Sequence, residues 1–198
     1  MLAASLSAAP MLFPAEEKAA AGLNKLSLET TLSASSENNR ICAGAGLPLG
    51  IVYSSLNDLT YGKEGVSYSA KHDLRRKIAG PLSVALSYYF VPTERNEAKL
   101  GLQLDMPKFL GLEGFVQGLY DLRNAQDNIL LGHIKRNFSD RGHVGVVITT
   151  KPARHTLYFE LEAALRIKDD IYLFGQMCGS NTTHAVCRAG IKVNLVAK

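Results

Sequence analysis

The chain contains no tryptophan and only three cysteines, Cys42, Cys178 and Cys187, none of them in a C-x-x-C pair. That rules out a disulfide framework and leaves no zinc-ribbon or thioredoxin-like spacing. No stretch approaches the roughly 20 consecutive apolar residues that a helix needs to cross a bilayer, so a helical membrane protein is excluded. Charge of one sign is also scarce: 22 Lys and Arg stand against 18 Asp and Glu, a formal net charge of +4. So small a surplus biases encounters toward anions without marking a nucleic-acid binder, and no nucleic-acid partner is expected. With 46% hydrophobic and 20% charged residues, the chain lacks the composition of a disordered protein.

Motifs of chemistry are missing as well. The histidines, His72, His133, His143, His155 and His184, show no H-E-x-x-H or other ligand spacing, so no metal is expected. Gly44, Gly46 and Gly50 do not have the G-x-G-x-x-G spacing, and neither G-x-S-x-G nor a Walker sequence occurs. Glu160 and Glu162 share one face of a strand about 6.6–7 Å apart, a separation that carboxylate pairs of glycoside hydrolases use. With Arg166 and Lys168 beside them, they read better as screened charge partners. The expectation is a protein that is not an enzyme and carries no cofactor.

What the sequence does contain is a period of two. In Thr156–Lys168, Leu157, Phe159, Leu161, Ala163, Leu165 and Ile167 share one face, while Tyr158, Glu160, Glu162, Arg166 and Lys168 take the other. The same split recurs in Pro81–Val91, Ala98–Met106 and Ala185–Val196, with turn residues between such runs at Thr93–Asn96, Asn124–Asn128, Ser139–Gly142, Lys151–Arg154, Asp169–Asp170 and Gly179–Thr183. Hairpins throughout predict an all-β, antiparallel up-and-down meander of about 12 strands, and closure into one barrel removes the exposed edges. Lys25–Ala34, Arg40–Pro48 and Gly50–Asn57 carry the weakest alternation of the set. The barrel is predicted over 25–198, and 1–24 is read as an uncleaved extension whose residues 15–22 have the composition of a short helix. The densest basic stretch, Lys71–Lys77, is read as a loop before the strand at Pro81–Val91, where it would attract anions or lipid headgroups.

Alternation alone leaves open which face points outward. A soluble carrier turns its apolar face inward around an apolar ligand, and a membrane barrel turns it out to lipid. Three features favour the membrane: strands longer than the soluble average, a polar face rich in small residues such as Ser83, Ser87, Gly101 and Gly145, and aromatics (Tyr88, Phe90, Tyr120, Phe138) near strand ends. In that orientation the pore-lining residues would include Lys71, Lys99, Lys135, Glu160, Glu162, Arg166, Lys168, Arg188 and Lys192. Their surplus of bases predicts a mild anion preference. Cys178 and Cys187 fall on opposite faces and should not bond.

The last strand carries a resemblance. Arg188-Ala-Gly190-Ile-Lys-Val193-Asn-Leu195 is similar to the polar-x-Gly-x-x-hydrophobic-x-hydrophobic assembly signal of mitochondrial outer-membrane barrels, with Arg188 as the polar position, Gly190 the glycine, and Val193 and Leu195 the hydrophobic pair. The likeness covers eight residues, and the chain is too short for the 19 strands of the voltage-dependent anion channels, being nearer in size to small chloroplast outer-envelope channels. It implies a small barrel in the outer membrane of a mitochondrion or chloroplast, with the lipid bilayer and the organellar barrel-assembly machinery as partners. The expected function is a channel for small solutes, with the mild preference for anions. The alternatives are a non-conducting barrel serving as a structural or accessory subunit of a membrane complex, and a soluble barrel holding an apolar ligand.

Overall fold

The computed structural model describes residues 22–33, 36–63, 65–92, 96–138 and 141–195. Twelve strands follow one another: β1 Gly22–Leu32, β2 Ser36–Leu47, β3 Ile51–Gly62, β4 Gly65–Ala79, β5 Leu82–Phe90, β6 Glu97–Phe109, β7 Leu112–Asp121, β8 Ile129–Phe138, β9 Gly142–Lys151, β10 Thr156–Lys168, β11 Ile171–Ser180 and β12 Thr183–Leu195. Each pairs antiparallel with the next, and β12 pairs with β1 from Leu26↔Leu195 to Leu32↔Ala189, which closes the sheet. Closure leaves no edge strand, each strand having a hydrogen-bonded neighbour on both sides, the condition that a sheet must meet in hydrocarbon. The predicted all-β, up-and-down barrel is therefore the observed fold.

Because the strand number is even, Gly22 and Leu195 lie on the same rim. Tight turns at 80–81, 110–111 and 169–170 also face that rim, and the longer links at 122–128 and 152–155 face the other. At 110–111 both Leu110 (φ 50°) and Gly111 (φ 76°) are left-handed, the backbone of the two-residue hairpin turn whose twist matches the strands it joins.

β10 has the boundaries that its alternation predicts. The weakly patterned runs at the start are also strands, but longer than read: β3 extends five residues past Asn57, to Gly62. Lys71–Lys77 is not a loop. It lies inside β4, where Lys71, Asp73 and Arg75 point inward opposite Leu56, Ser54 and Val52 of β3. Residues 15–21 of the expected helix lie outside the described residues, and Gly22 begins β1.

Candidate functional site

The apolar face of the sheet points outward. Leu100, Leu102 and Leu104 of β6 and Leu157, Leu161 and Leu165 of β10 are all between 39% and 58% exposed. Their neighbours Lys99, Gln103 and Glu160 are no more than 4% exposed, because they point into the barrel. This is the inverse of a soluble barrel, which excludes the reading as a carrier with an apolar interior. Tyr61, Tyr88, Tyr120 and Phe90 ring the outside toward one rim, and Phe109 and Phe138 toward the other, where side chains with an apolar body suit a hydrocarbon boundary.

Inside, charge is arranged in cross-strand networks. Lys192, Glu29, Arg40 and Asp58 sit directly opposite one another on β12, β1, β2 and β3. Lys192 Nζ lies 2.5 Å from Glu29 Oε1. Arg40 donates to both oxygens of Asp58, from Nε at 2.7 Å and from Nη2 at 3.1 Å, and its Nη1 lies 4.0 Å from Glu29 Oε2. Asn38 Nδ2 adds a donor to Asp58 at 3.4 Å. A guanidinium fork against a carboxylate, with both groups almost fully buried, is the geometry in which a buried ion pair offsets its own desolvation.

A second network occupies the mouth opposite the termini. Lys99 Nζ bridges Glu97 (2.6 Å) and Asp121 (2.8 Å). Lys151 on β9 reaches Glu97 on β6 at 3.3 Å, passing over β7 and β8, and also approaches Asp127 at 3.6 Å. Arg154 holds the same Asp127 at 2.7 Å. Asp127 belongs to a short 3₁₀ turn, Ala125–Asp127, that Asn124 caps by accepting the Gln126 N–H and by donating to Asp127 at 2.7 Å. Local chemistry thus folds the β7–β8 link, and three bases and three acids draw it across the mouth.

Between the networks the inner wall is not uniformly polar. Phe115, Leu131 and Val147 point inward from β7, β8 and β9 and pack together, with Ile129 against them. His133 sits beside Phe115, ring centroids 5.5 Å apart, and neither ring nitrogen has a partner among the described residues. Arg40, Lys99 and Gln103 are long side chains, yet each is at most 4% exposed. The lumen at those heights is filled by the barrel's own side chains.

Of the residues expected to line a pore, Lys71, Lys99, Lys135, Glu160, Glu162, Arg166, Arg188 and Lys192 all point inward. Lys168 does not join them: after a register shift beyond Arg166 it sits exposed at the rim by the termini. The structure brings Lys192 to Glu29 and places Glu162 3.3 Å from His143, while Lys135 and Arg188 have no acid within ion-pair distance among the described residues. Glu29, Arg40, Asp58, Asp73, Arg75, Glu97, Lys151 and Asp127 were missed as site residues. For those on strands the one signal is parity: Glu29 alternates with Ser27 and Thr31, and Arg40 with Asn38 and Cys42.

Among the described inward residues that are buried or half-buried, the inner wall carries nine bases (Arg40, Lys71, Arg75, Lys99, Lys135, Lys151, Arg166, Arg188, Lys192) and nine acids (Glu29, Asp58, Asp73, Glu97, Asp105, Glu113, Asp121, Glu160, Glu162), while Lys77, inward by register opposite Ser83, is exposed. Cys178 is buried inside and Cys187 exposed outside, both as free thiols, in keeping with their opposite parity.

In the terminal strand, Arg188 and Gly190 face inward while Val193 and Leu195 face out. Gly190 stands where a Cβ would run into the carbonyl of Thr30 on β1, so the closing seam has room only for glycine.

No protein-family model and no curated protein matches the sequence. Solved structures do match the fold. KdgM porin in complex with disordered oligogalacturonate superposes with a TM-score of 0.61 at 10% identity, covering 85% of this chain and 98% of that one. Outer membrane phospholipase A from Escherichia coli gives 0.61 at 12% identity, covering 86% and 90%. Both likenesses concern the fold, that of an outer-membrane barrel. A porin and a phospholipase on one scaffold show that this fold does not choose the activity.

Proposed function

We propose that this protein is a small outer-membrane barrel providing a narrow path for small solutes and ions, with larger solutes barred by the side chains that fill its lumen. The observation that carries the reading is the inverted wall: apolar residues outward over the strand centres, and an interior lined by lysine, arginine, aspartate and glutamate. An ionic interior stabilises hydrated solutes, whereas a purely packed core has no use for eighteen charges. The anion preference expected from a surplus of bases loses its basis in a wall where acids equal bases, so selectivity should be weak.

Among outer membranes, the organellar one is favoured by the C-terminal strand. Its resemblance to an assembly signal falls on the strand that closes the barrel, which makes the barrel-assembly machinery of a mitochondrion or chloroplast the proposed partner. Oligogalacturonate, bound by KdgM porin, is not extended to this chain, because most of the inward bases here already face acids.

The test is purified protein in planar bilayers under a salt gradient. Small conductance steps with a reversal potential near zero are expected. Absence of conductance would overturn the channel and leave the accessory-subunit reading, which the filled lumen favours.

A further inference from the structure

The outer wall carries a polar patch on β3 and β4. From β5 round to β12 the outward residues away from the strand ends are aliphatic, aromatic, Met, Cys or Gly, whereas on β3 and β4 the outward set includes Tyr53, Ser55, Asn57, Tyr68 and His72. His72 is the central residue of the fifteen in β4. Cross-strand register puts it beside Ser55 on β3 and Tyr88 on β5, on the outward face.

These groups are ordered in pairs. The Tyr53 hydroxyl and His72 Nδ1 are 2.8 Å apart, with the two rings stacked at 13°. The Tyr68 hydroxyl donates to Asn57 Oδ1 at 3.0 Å. Between the pairs, Ser55 and Ala70 are only 5% and 3% exposed although both point outward, so the patch has a recessed floor of small residues between aromatic walls. Each pair leaves one polar group over on an outward side chain: His72 Nε2 and the Asn57 amide nitrogen have no partner among the described residues.

We propose that this β3–β4 patch is the interface of a homodimer formed within the membrane. The inference rests on the membrane reading of the outer wall, since only in hydrocarbon does a half-satisfied imidazole or carboxamide lack water to pair with. A second copy meets the requirement better than a lipid chain, because the patch is self-complementary. A neutral imidazole nitrogen accepts or donates, the amide nitrogen donates, and the hydroxyls do both. Two copies related by a two-fold axis along the membrane normal bring identical depths face to face, so His72 and Asn57 of one copy meet the polar groups of the other at the same height. The shallow floor at Ser55 and Ala70 lets the two walls approach closely, as small residues do at interfaces within membranes.

The experiment uses the full chain in detergent micelles and in lipid nanodiscs, with mass read by light scattering and folding read by the heat-dependent shift of the barrel band on a gel. Wild type is expected at the mass of two chains. The double variant His72→Leu/Asn57→Leu should keep the folded band while its dimer dissociation constant rises at least tenfold. Tyr53→Phe, which removes a local hydroxyl and neither outward group, should weaken the dimer less. In a Cys187→Ser background, Leu74→Cys beside the patch should cross-link on oxidation, and Leu161→Cys on the far side should not. A folded, membrane-inserted wild type that is monomeric throughout overturns the dimer and leaves the membrane reading standing. That result would hold whether lipid or another protein is found on the patch. Failure to insert overturns both.

Discussion

Arg40 carries the most demanding position in the molecule. It sits in the lumen between Asp58 and Glu29, bidentate to the first, with Lys192 beyond them to balance the second acid. Removing it leaves Asp58 buried without its base, a cost of about 3–5 kcal/mol for a broken buried pair. Arg40→Met is therefore expected to lower the free energy of unfolding from lipid vesicles, measured by denaturant titration, by that amount, and Arg40→Met with Asp58→Leu should recover most of it. A double variant no more stable than the single would mean that the pair contributes nothing specific. None of this geometry could be read along the chain. Glu29, Arg40 and Asp58 come together through the register of three strands, and in sequence each is one charged residue in a run of weak alternation. By contrast, the opposed faces of Cys178 and Cys187 follow from parity within two well-patterned strands.

At the scale of elements, legibility follows how apolar the outward face is. β10 has leucine, phenylalanine, isoleucine or alanine at every second position, and its bounds were readable to the residue. β4 was not, because its outward positions include Tyr68, His72 and Arg76 while Lys71, Asp73 and Arg75 fill the inward ones. The segment therefore looks charged all round. In β7 to β9 the difficulty is reversed: Phe115, Leu131 and Val147 make the inner face apolar too, and the contrast between faces fades.

The closing seam between β1 and β12 can be probed at Gly190. A Cβ there meets the Thr30 carbonyl, and Gly101 on β6 meets the Gly118 carbonyl of β7 in the same way. Gly190→Ala and Gly101→Ala are both expected to impair spontaneous folding into vesicles that contain no assembly machinery. If Gly190→Ala folds normally there but fails in organelles, the glycine serves recognition and not the seam. The mouth network makes a separate prediction. Lys151→Met leaves Glu97 to Lys99 alone and loosens the hold on the link carrying Asp127, so single-channel conductance should rise severalfold; an unchanged conductance would place the narrowest point elsewhere, at the Phe115, Leu131 and Val147 cluster.

For the molecule as a whole, everything depends on which side of the wall is dry. The alternation could be read from the sequence, but not its direction from the alternation alone, because the same binary pattern builds a soluble barrel or an inverted one; strand length, the small polar-face residues and the aromatics near strand ends are what point the dry side outward. The structure decides it by placing Leu102 half exposed on the outside and Gln103 almost fully buried within. An arginine at an outward mid-strand site should destabilise the inserted barrel by about 2–4 kcal/mol, as Leu161→Arg would, measured by chemical unfolding from vesicles. The most direct measurement is nitroxide accessibility in the bilayer. Spin labels placed singly at Leu102 and Leu161 in a cysteine-free background, with labels at Gln103 and Gln176 as inward references, are relaxed against oxygen and against a water-soluble nickel complex. Oxygen relaxation dominating at Leu102 and Leu161, and falling away at Gln103 and Gln176, is the expected result. Nickel dominating at the two leucines would contradict the membrane barrel outright.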